Sequence, residues 1–131
     1  LRMTIPDFRA VRYNPRMQFY YHEVQNDVMV IAADGGLNKQ TAEQFVSEIL
    51  TLIETGMTKI IIDCDHLTHI SSFGIAVLLR MHKKAKAAGG EVKIANVHKK
   101  IMDVLNLMQL GKLFSVYPDV NRALLEFRPK D

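Results

Sequence analysis

A short apolar run, a polar loop and a helical pattern follow one another in residues 59–90, which read KIIIDCDHLTHISSFGIAVLLRMHKKAKAAGG. Residues 59–64 form a short, mostly apolar run with three consecutive isoleucines at 60–62, which is typical of a strand that is covered on both faces of a sheet. In residues 73–88 apolar side chains recur at three- and four-residue steps, and two glycines end the pattern. We therefore predict a central strand, a loop over residues 63–72 that leads out of it, and a helix over residues 73–88.

Strands and helices alternate on both sides of this stretch. Upstream, the triplet Asp34-Gly35-Gly36 is expected to end a strand, and Asn38 and Thr41 are capping residues ahead of a helical pattern. The further predicted strands cover residues 18–24, 27–33, 91–95 and 114–117, and the further helices cover 42–53, 98–108 and 120–127. This order predicts a single α/β domain with a mixed, mostly parallel sheet and about four helices.

Length and composition agree with one domain. The 131 residues suffice for a single core, and 48% hydrophobic with 24% charged residues is typical of a folded globular chain. Residues 1–15 contain two prolines and no steady periodicity, so we predict an N-terminal arm or linker there, followed by the domain at 16–131.

The charge and the single cysteine restrict the setting. A formal charge of +3 and lysines at 83, 84 and 86 without interleaved aromatic residues do not favour direct nucleic-acid binding. No window approaches the roughly 20 apolar residues of a membrane helix, and the first residues lack an apolar signal segment. A lone cysteine is typical of a reducing compartment. We expect a cytoplasmic protein without membrane insertion.

The loop over residues 63–72 is the leading candidate for a site, because ligands of open α/β sheets gather beyond the carboxyl ends of the strands. Ser71 and Ser72 lie where the second helix begins, and free N–H groups there favour a negative charge such as a phosphate. One of the serines is also expected to cap the helix. Both roles remain open from the residues alone.

The start of that helix is apolar on more than one side. Phe73, Ile75 and Ala76 lie beside the inward stripe of the helical pattern, whereas its later turns carry Arg80 and lysines. An apolar helix start of this kind either faces a partner or packs under neighbouring loops.

Metal and hydrolytic chemistry are the alternatives in the same loop. The possible ligands are Asp63, Cys64, Asp65, His66 and His69, but they lack the spacing of established zinc sites. The serines lack a nucleophile elbow, although His66 or His69 would be the candidate base. We predict no metal, no cofactor and no catalytic residue, and interpret Cys64 as a buried strand residue.

The pattern over residues 60–92, with Ile70-Ser71-Ser72-Phe73-Gly74 at its centre, resembles the STAS domain and, more narrowly, the bacterial anti-sigma factor antagonists. Gly35-Gly36-Leu37-Asn38 is similar to the strand-to-helix turn of that family, and residues 104–114 are similar to its late helix and loop. The resemblance covers roughly residues 18–127 and implies a STAS-type fold.

The resemblance also implies a regulatory binding module that is not an enzyme. Members of the family sequester an anti-sigma factor that is also a serine kinase, and the kinase switches them off by phosphorylating a serine. Aligned through Gly74, the acceptor falls on Ser72, with Ser71 as the alternative. The implied contact surface consists of Asn38, His66, His69, Ile70, Ser71, Ser72, Phe73, Ile75 and Ala76.

Two positions depart from the family motif. Ser71 stands where an acidic residue is usual, and Phe73 stands where the family has Ser or Thr. Three alternatives therefore stay open: an unphosphorylated STAS module of a stress-signalling assembly, an equivalent module of a transporter, and a nucleotide or small-ligand sensor.

Overall fold

The computed structural model describes residues 12–14, 19–24 and 27–127. Six strands and four helices succeed one another in these residues. In chain order they are β1 (Arg12–Asn14), β2 (Phe19–Val24), β3 (Val28–Leu37), α1 (Lys39–Glu54), β4 (Lys59–Ile70), α2 (Ser72–Ala87), β5 (Glu91–Ala95), α3 (Lys99–Leu107), β6 (Ser115–Tyr117) and α4 (Val120–Leu125).

The six strands form one sheet in the order β1-β2-β3-β4-β5-β6. The first two pairings are antiparallel, and the three pairings from β3 to β6 are parallel. Each parallel neighbour is reached through a helix, as crossover connections require. The predicted α/β fold, with a mixed, mostly parallel sheet and four helices, is confirmed.

Both faces of the central strands are covered. Ile60 and Ile62 of β4 pack in the larger core, which the inner sides of α1, α2 and α3 complete, whereas Ile61 packs in a smaller core under α4. Successive strand side chains point to opposite faces, so the uninterrupted apolar run at residues 60–62 serves both cores at once.

The strands β3 and β4 are longer than predicted. β3 runs through Asp34-Gly35-Gly36, and β4 continues to Ile70, so the prediction of a loop over residues 63–72 is wrong. The two segments pair with each other past the point where β5 ends, with Gly35 opposite Leu67 and shifts of register on either side of it. Gly35 has a φ of 89°, which a glycine adopts without strain. We call residues 34–37 and 64–70 the β3–β4 extension.

The first strand lies inside the predicted N-terminal arm. Residues 12–14 pair with β2, and Arg12 stands opposite Tyr21, so the sheet begins earlier than residue 16. Residues 1–11 and 15 of that arm lie outside the described residues. β2 and β3 pair antiparallel, with Val24 opposite Val28, and residues 25 and 26 between them are not among those described.

Candidate functional site

Ser71 joins the end of β4 to the start of α2. Its backbone N–H and its hydroxyl both donate to the carbonyl oxygen of Leu37, at 2.9 and 3.1 Å, and its Oγ accepts from the N–H of Gly74 at 3.3 Å. Its extended backbone, with φ −93° and ψ 175°, is that of a helix N-cap. The capping role that the sequence left open between the two serines therefore belongs to Ser71.

Gly74 lets the first turn of α2 approach the end of β3 closely. A methyl group on its Cα would lie 2.6 Å from the carbonyl oxygen of Leu37 and 2.6 Å from Cγ1 of Ile70. The backbone oxygen belongs to a paired strand and cannot withdraw without breaking the sheet. The absence of a side chain at residue 74 thus fixes how closely the start of α2 lies against the β3–β4 extension.

Ser72 is exposed in the first turn of the same helix. Among the residues that the structure describes, no hydrogen bond involves its hydroxyl. The N–H groups at the start of a helix have no partner within the helix, and the helix dipole is positive there. The two adjacent serines are therefore distinct: Ser71 is engaged in capping, and Ser72 presents its hydroxyl to solvent.

The start of α1 lies next to the start of α2. Asn38 and Thr41 cap α1 reciprocally: Asn38 Oδ1 accepts from the Thr41 N–H at 3.1 Å, and Thr41 Oγ1 accepts from the Asn38 N–H at 3.0 Å. The ammonium of Lys39 lies 5.4 Å from the centroid of the Phe73 ring, a cation–π distance. This contact links the two helix starts into one surface.

Of the four apolar residues expected at the contact surface, two are exposed, one is half-buried and one is buried. Phe73 is 45% exposed and Ala76 is exposed, but Ile75 is 3% exposed and packs in the interior. The inclusion of Ile75 in the contact surface is wrong, because α2 buries a wider arc than the predicted stripe. Ile70 is half-buried beside Gly74.

The histidines expected at the contact surface both lie exposed on β4. The imidazole of His69 covers Gly36, where a side chain would collide with it, and its Nδ1 is 3.1 Å from Thr68 Oγ1. Thr68 in turn donates to the carbonyl oxygen of Gly35 at 3.0 Å. His66 Nε2 lies 3.7 Å from a carboxylate oxygen of Asp65. Both rings therefore lie at the surface of the β3–β4 extension.

The described residues offer no support for a metal site or a reactive thiol near the contact surface. Within 12–14, 19–24 and 27–127, no group of three or more His, Cys, Asp or Glu side chains is arranged to hold a metal ion. Burial, and secondarily the charge of Asp63, raises the pKa of the Cys64 thiol to about 12, so the thiol stays protonated. Asp63 is hydrogen-bonded instead, accepting from Asn96 Nδ2 at 3.0 Å.

Two residues of this surface escaped the sequence analysis. Lys39 touches Phe73 only because the starts of two helices meet in space, which helix patterns alone do not show. Thr68 has a sequence signal, since a β-branched residue one position before His69 favours a strand over the predicted loop. None of the helices in the described part of the chain is long and apolar enough to cross a membrane.

Solved structures share this arrangement of strands and helices. One is a protein from Thermotoga maritima that is provisionally named an anti-sigma factor antagonist. It superposes with a TM-score of 0.79 at 24% identity, and the match covers 83% of this chain and 93% of that chain. SpoIIAA of Bacillus, named an anti-sigma factor antagonist, superposes in its phosphorylated form with a TM-score of 0.70 at 24% identity, covering 84% and 99% of the two chains. At this identity the likeness shows the fold.

Sequence comparison agrees with the structural one. BtrV of Bordetella bronchiseptica, provisionally named an anti-sigma factor antagonist, is 27% identical over 96 residues, which are 72% of this chain and 80% of BtrV. The family model of the STAS domain matches residues 22–123. Because that match takes in the strands from β3 to β6, the helix starts and the contact surface described above, the chain belongs to the STAS domain family.

Proposed function

We propose that this chain is an anti-sigma factor antagonist. In this role it binds an anti-sigma factor that is also a serine kinase, through the surface formed by the starts of α1 and α2 and by the β3–β4 extension, and phosphorylation of Ser72 ends the binding. The proposal places the protein in the cytoplasm and assigns it no catalytic step, no cofactor and no direct contact with nucleic acid. The names of its relatives support the class of partner.

One observation carries the proposal: the serine in the acceptor position is exposed and its neighbour is the cap. A kinase can reach the hydroxyl of Ser72 without opening the helix, because Ser71 alone holds the first turn. The fold would therefore survive the modification.

The surroundings of Ser72 explain how a phosphate would act. It would add about −1.5 to −2 charge beside Phe73 and Ala76, which are apolar and exposed. Within the free protein this charge is tolerated, because it lies at the positive end of the α2 dipole and next to Phe73, over whose ring Lys39 lies. Inside an interface it would be desolvated against apolar groups, which weakens binding.

The two departures from the family motif have structural counterparts. The hydroxyl of Ser71 donates to Leu37, which an ionised acidic side chain cannot do. Phe73 places a large ring next to the acceptor, so a matching kinase needs room for that ring. The same ring favours a second candidate function, a STAS module that binds its partner permanently and is never phosphorylated.

The test uses the anti-sigma factor kinases of the source organism, purified singly, with titration calorimetry against the wild type, Ser72→Ala and Ser72→Asp. We expect the wild type and Ser72→Ala to bind and Ser72→Asp to bind about tenfold more weakly or worse. After incubation with Mg-ATP, mass spectrometry should find phosphate on Ser72 in the wild type and none in Ser72→Ala.

Ser47 supplies a matched control, because it is an exposed serine on α1, outside the contact surface. Ser47→Asp should bind like the wild type. Equal binding by the wild type, Ser72→Ala and Ser72→Asp, with no phosphate transfer, would establish the permanent module instead. Absence of binding to every anti-sigma factor would overturn the antagonist function itself.

A further inference from the structure

The exposed face of α2 changes character along its length. It begins with Phe73 and Ala76 and continues with Arg80, Lys83 and Lys84, all of them exposed. These positions follow one another at three- or four-residue steps, apart from the adjacent Lys83 and Lys84, so they form one stripe. We call it the α2 stripe. Over about 16 Å of helix it passes from an aromatic ring to three cations.

The rest of α2 faces the interior, which defines the edges of the stripe. The buried residues of this helix are Gly74, Ile75, Val77, Leu78, Met81, His82 and Ala85. Apart from the half-buried Leu79, the remaining positions are exposed. The backbone positions of the cations are thus held on a helix that packs against the sheet, so their spacing from Phe73 along the helix is fixed.

The three cations of the stripe are not neutralised within the described residues, where no carboxylate lies within 4.0 Å of Arg80, Lys83 or Lys84. The lysine–carboxylate pairs that the structure shows lie elsewhere, between Lys93 and Glu91 and between Lys99 and Asp103. A solvated basic face is common on helices. Here, however, it continues without a break from the surface proposed to bind the partner.

The neighbouring helix carries carboxylates. Beyond Lys39 at its start, the exposed residues of α1 include Glu43 and Glu54, and α1 packs alongside α2. A long polyanion such as duplex DNA that covered both helices would meet these carboxylates as well as the cations. A protein surface with a narrow row of carboxylates meets the cations alone.

We propose that the partner-binding surface extends down the α2 stripe, and that it fits an acidic protein surface: an apolar pocket that receives Phe73, followed by carboxylates opposite Arg80, Lys83 and Lys84. This inference rests on the proposed function, and it names the chemistry by which the anti-sigma factor is recognised. Aromatic anchors carry much of the energy of protein interfaces, whereas surrounding charges set the association rate and exclude wrong partners. Phe73 therefore supplies affinity, and the cations supply selectivity.

The test measures binding to the anti-sigma factor that the preceding experiment identifies, between 0.05 and 0.5 M NaCl. The variants are Phe73→Ala, the triple variant Arg80→Gln/Lys83→Gln/Lys84→Gln, and a control triple, Lys100→Gln/Lys112→Gln/Arg122→Gln. The control also removes two lysine charges and one arginine charge, but from exposed positions outside α2. Circular dichroism and thermal melting verify that all variants are folded.

We expect Phe73→Ala to weaken binding about tenfold at every salt concentration. The α2 triple should weaken it about tenfold at low salt, mainly through slower association, and should flatten the salt dependence. The control triple should change the affinity less than threefold at low salt, because those positions lie off the stripe.

The two proposals fail in different ways. If the wild type binds no anti-sigma factor, the proposed function is wrong and this inference falls with it. If the wild type binds and the two triples behave alike, only this inference is wrong. A 20-base-pair DNA duplex serves as the polyanion probe: binding as tight as that of the anti-sigma factor, and lost in the α2 triple, would overturn the choice of an acidic protein.

Discussion

The two faces of the sheet are stabilised in different ways. Under α1, α2 and α3 lies a broad apolar core, whereas the face under the short helix α4 combines a small apolar cluster with an ion pair. Lys93 is 5% exposed there, and its ammonium lies 3.1 Å from Glu91 Oε1 and 4.6 Å from the centroid of the Phe127 ring. The candidate site is built on the apolar face, where packing leaves its elements little freedom.

The difference suggests a division of labour. The broad core holds the starts of α1 and α2 in register with the β3–β4 extension, so the contact surface is preorganised. The α4 face closes the opposite side of the sheet with specific polar contacts, including a hydrogen bond from Ser115 Oγ to Glu91 Oε2 at 2.9 Å. Substitutions that affect one face at a time can therefore test this comparison.

The largest effect is expected from neighbouring residues of β4 that point to opposite faces. Ile62 and Ile61 are both 0% exposed, but Ile62 belongs to the larger core, to which three helices contribute, and Ile61 belongs to the smaller one. We expect Ile62→Ala to lower the free energy of unfolding by about 4 kcal/mol and Ile61→Ala by about 2 kcal/mol, because the short α4 can settle into the cavity. Urea unfolding measures both values, and a larger loss for Ile61→Ala would contradict the comparison.

An intermediate effect is expected from the ion pair between buried Lys93 and half-buried Glu91. Lys93→Met leaves Glu91 with Ser115 but without its charged partner, and we expect a loss of about 2 kcal/mol. The double variant Glu91→Gln/Lys93→Met should recover part of that loss, because it leaves no uncompensated charge. A double-mutant cycle in urea gives the coupling, and additive losses would show that the pair does not hold the α4 face together.

The smallest effects on stability are expected from changes in pH. The two faces of the sheet should respond in different pH ranges. On the apolar face, burial lowers the pKa of His82 below its ordinary 6.5, and within the described part of the chain its Nδ1 has no hydrogen-bond partner. On the α4 face, burial tends to raise the pKa of Glu91, but the hydrogen bonds from Ser115 and Lys93 and the charge of Lys93 outweigh it and hold this pKa below 4.5.

The signs follow from proton linkage. The unfolded chain binds a proton at residue 82 more readily than the folded protein, so His82 lowers stability as the pH falls from about 6.5. The contribution of Glu91 is present above pH 4.5 and is lost as the pH falls through its lower folded value. Melting temperatures are measured between pH 3 and 8. His82→Gln should make the melting temperature depend less on pH in the upper part of this range, and Glu91→Gln should do so in the lower part. An unchanged profile in either variant would contradict its assignment.

Local patterns in the sequence predict much of this fold. The run Ile60-Ile61-Ile62 indicates a strand covered on both faces, and Asn38 and Thr41 mark the start of α1, because these features depend on neighbours along the chain. The STAS resemblance likewise rests on short motifs in a fixed order, and the family match confirms it.

The remaining features depend on distant parts of the chain. Asp34-Gly35-Gly36 has the composition of a turn, yet it is held as a strand by pairing with residues 66–69 of β4. Ile75 lies beside the predicted inward stripe of α2, yet it is buried, and so is the polar His82, because α2 packs against both α1 and β5. Periodicity in the sequence indicates which side of a helix faces inward. How much of the helix circumference is buried depends on the elements that pack against it.

The β3–β4 extension has a further consequence for how this protein can evolve. Beyond Asp63, which lies opposite Ala95 of β5, strand β4 pairs with β3 alone. Residues 64–70 therefore lie outside the part of β4 that is paired on both sides. Substitutions at the exposed residues 65, 66, 68 and 69 of this segment leave the inner pairings in place and carry a small penalty in foldability, whereas Cys64 and Leu67 are buried in the larger core. Gene duplicates can thus acquire separate partners by drift at a few outer positions, while the shared interior keeps each copy viable.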